Sequence, residues 1–231
     1  DNIKVENILI SYEDNGNKIY EDLKSRQVPI IILNENDKIN LTKDIYMEVL
    51  SPNISLRNRW TRGNNLSLVL LLNYYDKRIL FTGDVERELE LELKDKFKDT
   101  VDIIKVPHHG SNSSSSEEIL DIIRPKIAII SVGRNNLYSH PSKDVLERYE
   151  KIGSSIYRTD LQGLIWLGLY KDKIFIKPYI NERIGLIEFM YDNIYTVSFY
   201  LLFYLAIYIL IRYYSYLKER LKIDGLQGTY K

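Results

Sequence analysis

The sequence predicts an α/β fold of the layered α+β kind, with a mixed sheet and a hydrophobic helix at its C-terminal side. Three observations predict it. Along the middle of the chain, short apolar runs alternate with segments of helical period, the order that builds crossover-connected strands. Ahead of them, apolar runs separated by tight polar turns read as hairpins, so antiparallel pairs join the same sheet. From Ile194 to Ile211 no charged residue interrupts a mostly apolar run.

The elements follow in order. Asn7 to Ser11 reads as a short strand. Gly16 to Gln27 has helical spacing at Ile19 and Leu23, and Pro29 stops it. Pro29 to Leu33 reads as a buried strand, 34–38 as a turn, and Ile39 to Thr42 with Ile45 to Leu50 as a hairpin. Ser51 to Asn65 is a polar loop carrying Arg57, Arg59, Trp60 and Arg62. Leu66 to Tyr74 and Arg78 to Phe81 are strands joined near Asp76. Val85 to Phe97 is the clearest helix: Val85, Leu89, Leu93 and Phe97 recur every four residues, with glutamates early and lysines late, complementing the helix dipole. Strand Val101 to Val106 follows, then a helix from Ser116, as its cap, to Ile123. Strand Ile127 to Val132, loop Gly133 to Pro141 and helix Ser142 to Ile152 come next. Ser155 to Arg158, Leu164 to Tyr170 and Ile174 to Ile176 read as β.

Composition narrows the chemistry. The 231 residues suffice for a real core. Lys+Arg and Asp+Glu both number 32, so no global field attracts nucleic acid, and any such binding needs a local patch. There is no cysteine, which excludes disulfides and thiolate metal sites and leaves imidazole and carboxylate as ligands. The chain starts at Asp1 without a signal-peptide pattern and reads as a fragment or processed piece.

The histidines carry most of the functional signal. Of only three, two stand together in Val106-Pro107-His108-His109-Gly110-Ser111, at the exit of an apolar run. The third, His140, lies in the loop after another, and Pro141 biases it to an extended conformation. Asp84 ends Thr82-Gly83-Asp84, at a strand end and a helix start together. Taken alone it reads first as an N-cap, and a carboxylate there can also point into a site and bridge cations. Adjacent side chains on an extended segment point opposite ways, so at most one of His108 and His109 is expected to be a direct ligand unless the loop curls. Ser111 offers a hydroxyl to phosphate oxygens. One Asp and two or three His at successive strand ends suit a divalent metal, zinc or manganese, that activates water for hydrolysis.

Five motifs in order resemble a known family. Asn64-Asn65-Leu66-Ser67-Leu68-Val69-Leu70, Leu80-Phe81-Thr82-Gly83-Asp84, the His108-His109 segment, Asn136-Leu137-Tyr138-Ser139-His140-Pro141 and Tyr157-Arg158-Thr159-Asp160-Leu161-Gln162-Gly163 resemble the metallo-β-lactamase-like domain of ComEC-type competence proteins. The resemblance covers about residues 3–170. It implies a partial αββα sandwich and a DNA-uptake protein of natural transformation, whose domain is proposed to be the nuclease that degrades the non-transported strand. It further implies catalytic roles for Asp84, His108 and His109, and metal ligation by Asp84, His108 and His140. Asn65 and Ser111 read as substrate contacts beside them, and Arg59 with Arg57, Trp60 and Arg62 reads equally as a hold on a DNA strand by charge and stacking or as a solvated loop. The family's H-x-H-x-D-H motif precedes the segment resembling Val5 to Ser11 and is absent here, so the chain reads as the C-terminal portion of a cut domain, expected to be inactive alone. The alternatives are a membrane-anchored module that binds DNA or a partner without catalysis, and a hydrolase of another substrate.

The expected organisation is a domain over 1–180, a linker over 181–193, a transmembrane helix over 194–212 and a basic cytoplasmic tail over 213–231. Eighteen helical residues span about 27 Å, near the thickness of a hydrocarbon core. Basic residues Arg212, Lys218, Arg220 and Lys222 follow the run, placing the C-terminus in the cytoplasm and the domain outside. The expected partners are DNA, the membrane and other competence machinery. Tyr200, Tyr204 and Tyr208 form a stripe that suits a partner helix.

Overall fold

The computed structural model describes residues 5–11, 18–26, 28–53, 63–180 and 194–227. They fall into two units, one ending at Ile180 and one starting at Asn181. In the first unit, β1 (Ile8–Ser11) and β2 (Ile30–Leu33) pair in parallel, with helix α1 (Lys18–Ser25) between them in sequence. The expected burial of the second strand does not hold. Only Leu33 of β2 is buried and Ile31 is exposed, and the pair forms a two-stranded sheet apart from the main one.

The main sheet has seven strands in sequence order: β3 (Lys38–Asn40), β4 (Ile45–Ser51), β5 (Val69–Tyr74), β6 (Lys77–Phe81), β7 (Ile103–Lys105), β8 (Ile127–Ile130) and β9 (Ser155–Arg158). Pairing is antiparallel from β3 to β6 and parallel from β6 to β9, so the sheet is mixed, as the alternation of hairpins and crossovers requires. Each parallel crossover is a helix: α2 (Arg87–Leu93), α3 (Glu117–Ile123) and α4 (Lys143–Lys151). The apolar faces of these helices close one side of the sheet in a single core. Leu89, Leu120, Ile123, Val145 and Tyr149 pack with Leu71, Leu80, Ile104, Ala128 and Ile130. Leu89 and Ile123 are fully buried, and each such side chain contributes about 1.5–3 kcal/mol. The opposite face is covered by the hairpin β10 (Ile165–Leu169) and β11 (Ile174–Pro178). There Leu167, Leu169 and Ile174 pack on Leu72, Ile79 and Ile103. One short turn, α5 (Thr159–Gln162), joins β9 to that hairpin.

Two expectations change in detail. The helix expected from Val85 to Phe97 starts at Arg87, with Glu86 in the extended N-cap position, and ends as a 3-10 turn over Lys94–Lys96. Asp84 is therefore not its cap. Ser116 does occupy the N-cap of α3, but its hydroxyl makes no capping bond. The Glu90 carboxylate instead holds the entry to the helix, accepting the N–H groups of Ser115 at 2.6 Å and Ser116 at 2.8 Å. Ser142 caps α4 as read, accepting the N–H of Val145.

In the second unit, helix α6 (Ile194–Gln227) has 34 residues, about 51 Å of helix. Its apolar stretch runs from Ser198 to Leu217, 20 residues with mean hydropathy 1.3, long enough to cross a membrane by length and composition. The helix does not stop at Arg212. Tyr213, Tyr214 and Tyr216 carry the uncharged face onward, so no break separates an apolar helix from a basic tail. Tyr200, Tyr204 and Tyr208 are exposed.

Candidate functional site

Three parallel strands in a row, β6, β7 and β8, deliver the candidate residues. Their carboxyl ends lie on one sheet edge, the place where open α/β sheets build sites. In the register, Phe81 faces Lys105, and Lys105 faces Ile129. Asp84 and His108 each follow three residues after Phe81 and Lys105, so equal overshoot brings them side by side. Thr82 closes the joint by donating its hydroxyl to the Lys105 carbonyl at 2.7 Å.

Gly83 makes the turn into Asp84. Its φ is +58°, and a Cβ there would meet the Ser67 Cβ at 2.6 Å, so only glycine fits. Ser67 instead accepts the Asp84 N–H through its hydroxyl at 3.1 Å. The Asp84 carboxylate is left to face an open trough of about 450 Å³, lined also by Leu9, Ser11, Asn64 and Gly83.

The histidine loop curls. His108 and His109 both adopt left-handed backbone, with φ of 46° and 54°. Each such residue costs roughly 1–2 kcal/mol in an L-chain. The opposite-facing geometry of an extended pair is thereby lifted, and both imidazoles reach the site. His109 Nδ1 donates to the Ser131 carbonyl at 2.6 Å. A carbonyl only accepts, so Nδ1 carries a proton and Nε2 is the ring nitrogen left facing the site. It points toward Asp84 Oδ1, 3.8 Å away. His108 turns elsewhere. Its Nδ1 lies 3.5 Å from Glu86 Oε1, with Asn64 and Ser113 at the outer edge of hydrogen-bonding distance. The His108 and His140 rings meet edge-on, 5.8 Å between centroids. Burial holds the His140 imidazole below its ordinary value, and the neighbouring His108 and His109 push the same way.

The loop is braced from two helices. Glu90, 4% exposed, holds the Ser115 and Ser116 amides from α2. Arg148 of α4 donates to the carbonyls of Ser114 and Ser115 and to Asn112 Oδ1. The Ser115 and Tyr149 hydroxyls lie 3.2 Å apart. Burial raises the Glu90 carboxyl above its usual range, against the pull of the two amides and Arg148.

Of the residues expected from sequence, Asp84, His108, His109 and His140 come together on this edge. Ser111 is at its rim, its hydroxyl 3.1 Å from that of Ser113. Asn65 is 7% exposed, and its amide oxygen accepts the Glu86 N–H at 2.9 Å. Its neighbour Asn64 faces the cluster and donates to Glu86 Oε1 at 3.1 Å. Arg59 and the other aromatic and basic residues of its loop lie outside the described residues. Two participants escaped the sequence reading. Glu86 looked like dipole decoration, but it is the carboxylate beside His108. Lys105 is an ammonium at the end of an apolar strand, a mismatch that could have flagged it. Its Nζ is 3.6 Å from Asp84 Oδ1 and donates to the Gly83 carbonyl at 3.2 Å. Burial lowers its pKa from the ordinary lysine value, and Asp84 opposes this.

Among the described residues, no three His, Asp or Glu groups converge as a metal site requires. The Asp84 carboxylate and His109 Nε2 make two groups, where a tetrahedral zinc site takes four ligands. The described residues do not by themselves make a metal centre.

Comparison with known proteins places this edge in context. Residues 63–134 match the metallo-beta-lactamase superfamily. The chain is 34% identical over 163 residues to ComE operon protein 3 of Bacillus subtilis, 70% of this chain and 20% of that protein. It is 32% identical over 150 residues to Recombination protein 2 of Haemophilus influenzae, 62% of this chain and 18% of that protein. Competence protein ComA of Neisseria gonorrhoeae is 35% identical over 108 residues, 46% of this chain and 16% of that protein. The chain thus spans about a fifth of the length of the curated relatives it matches.

Proposed function

We propose, from the premise that this chain carries a metallo-β-lactamase-like domain of the kind found in competence proteins, that it serves DNA uptake at a membrane and engages a DNA phosphodiester at the Asp84–His109 edge. The observation that carries this reading is the delivery of Asp84, both tandem histidines and His140 to one edge by three adjacent parallel strands. His108, His140, Lys105 and Ser111 supply donors for phosphate oxygens. Asp84 and Glu86 place negative charge at the same edge, which opposes a phosphate unless a cation neutralises them. A divalent cation, when bound, supplies Lewis acidity to a phosphodiester. With only these two groups among the described residues, Asp84 and His109, this chain alone binds DNA without cleaving it. Nuclease action on the non-transported strand belongs to the assembled protein. Helix α6 anchors the domain in the membrane, with the domain on the extracytoplasmic side, by the basic residues that follow the apolar stretch.

The test uses the full 231-residue chain in detergent with labelled single-stranded DNA. Binding is expected to tighten on addition of Zn²⁺ or Mn²⁺, to lose that gain in Asp84→Ala, and to proceed without strand cleavage. Absence of DNA binding under all metal conditions would overturn the DNA reading. Robust metal-dependent cleavage lost in Asp84→Ala would overturn the claim that the chain is inactive alone.

A further inference from the structure

We infer that Tyr138 is a stacking platform for a nucleobase, seated beside the phosphodiester that the histidine cluster engages; the inference rests on the DNA reading above. Tyr138 is 80% exposed and Leu137 97% exposed, at the tip of the loop that carries His140. Loops on a rigid scaffold carry a disproportionate share of binding residues. This one presents an aromatic and an aliphatic side chain on a pinned backbone. The Asn136 side chain closes the loop on itself, accepting the His140 N–H at 2.9 Å and donating to the carbonyls of His140 at 2.8 Å and Gly133 at 3.1 Å. Asn135 and Ser139 hold left-handed backbone on either side, with φ of 54° and 56°. Such strain is kept where the surrounding structure over-determines it, and it clusters at ligand sites.

The orientation of the ring identifies the ligand class. Tyr138 lies nearly parallel to the His140 imidazole, 17° between planes and 5.7 Å between centroids. His140 in turn contacts His108 edge-on. The phenol is therefore backed on one side by the phosphate-facing cluster, and its exposure leaves room for a second flat ring. A neutral aromatic face takes any base, so this contact adds affinity without sequence preference, as expected of a surface that handles single strands. Leu137 and Tyr138 together could instead touch a lipid surface. The parallel pairing with His140 favours the base, because a lipid contact needs no ring alignment with an imidazole.

The test compares the full chain in detergent with its Tyr138→Ala, Tyr138→Phe and Leu137→Ala variants. The probes are a labelled oligothymidylate and an abasic strand of equal length. Tyr138 is a surface residue, so folding is not at issue. Tyr138→Ala is expected to weaken oligothymidylate binding about tenfold, the scale of one lost base–aromatic stack, while leaving the abasic strand unchanged. Tyr138→Phe is expected to bind like the unaltered chain. Unchanged oligothymidylate affinity in Tyr138→Ala, or an equal loss for the abasic strand, would overturn the platform and leave the DNA reading intact. Failure of the unaltered chain to bind either strand would overturn both. A loss in Leu137→Ala as large as in Tyr138→Ala, and equal for the two strands, would point to a general apolar contact in place of the base and overturn the inference.

Discussion

His109 Nε2 faces Asp84 Oδ1 across 3.8 Å, and the Ser131 carbonyl fixes the proton on the far nitrogen of the same ring. Under the proposed metal-assisted DNA binding, these two side chains are the candidate ligands among the described residues. His108 is engaged toward Glu86 instead. Calorimetric titration of the full chain with Zn²⁺ is therefore expected to lose at least about tenfold in affinity in His109→Ala and in Asp84→Ala. His108→Ala is expected to change it by less. Equal losses in both histidine variants would count against this division of roles.

Gly110 joins the two histidine loops. Its φ is +84°, and a Cβ there would fall 2.5 Å from the Pro141 Cβ and 3.1 Å from its Cα. The Gly110 carbonyl also accepts the Ser142 N–H at 2.9 Å. Gly110→Ala is expected to cost about 3 kcal/mol by overpacking and backbone strain. Denaturant unfolding measures it, and a loss below about 1 kcal/mol would show that Pro141 yields readily.

Glu90 and Arg148 brace the serine run behind the histidines. Removing the Glu90 carboxylate orphans two buried amides, so Glu90→Ala is expected to cost about 3 kcal/mol. Arg148→Ala is expected to cost about 1–2 kcal/mol, since its contacts are partly solvated. Thermal unfolding of the two variants ranks them, and the reverse order would contradict this division.

His140 makes stability depend on pH. Its folded value lies below the ordinary 6.5 because burial disfavours the imidazolium. The stability it contributes is present above the unfolded value and is lost as pH falls through the lowered folded value. The midpoint of thermal unfolding is expected to fall between pH 7 and pH 5 less steeply in His140→Asn than in the unaltered chain. Parallel curves would remove His140 from the account.

Helix α6 is expected to insert into a bilayer. Ile207 lies near the middle of the apolar stretch, and Ile207→Lys is expected to cost about 2.5–3.5 kcal/mol of insertion. Carbonate extraction of membranes from expressing cells reads the effect. If both proteins are extracted alike, α6 does not span.

The local pattern alone specified much of this protein. Four-residue spacing of Leu89 and Leu93 set the face of α2, alternating apolar runs set the strands, and the position of each histidine at a strand exit marked the edge where the site lies. The long uncharged run set α6. These features were legible because each depends on neighbours within one or two turns of chain. Which imidazole meets Asp84 depends on the tertiary structure. It follows from the left-handed turn at His108 and His109, a turn held by Gly110 against Pro141 and by Glu90 and Arg148 from two other helices. The exposure of Ile31 in β2, the hold of Glu90 on the Ser115 and Ser116 amides and the pairing of Glu86 with His108 have the same origin. Each depends on residues that folding brings together from distant parts of the chain, and no local period records them.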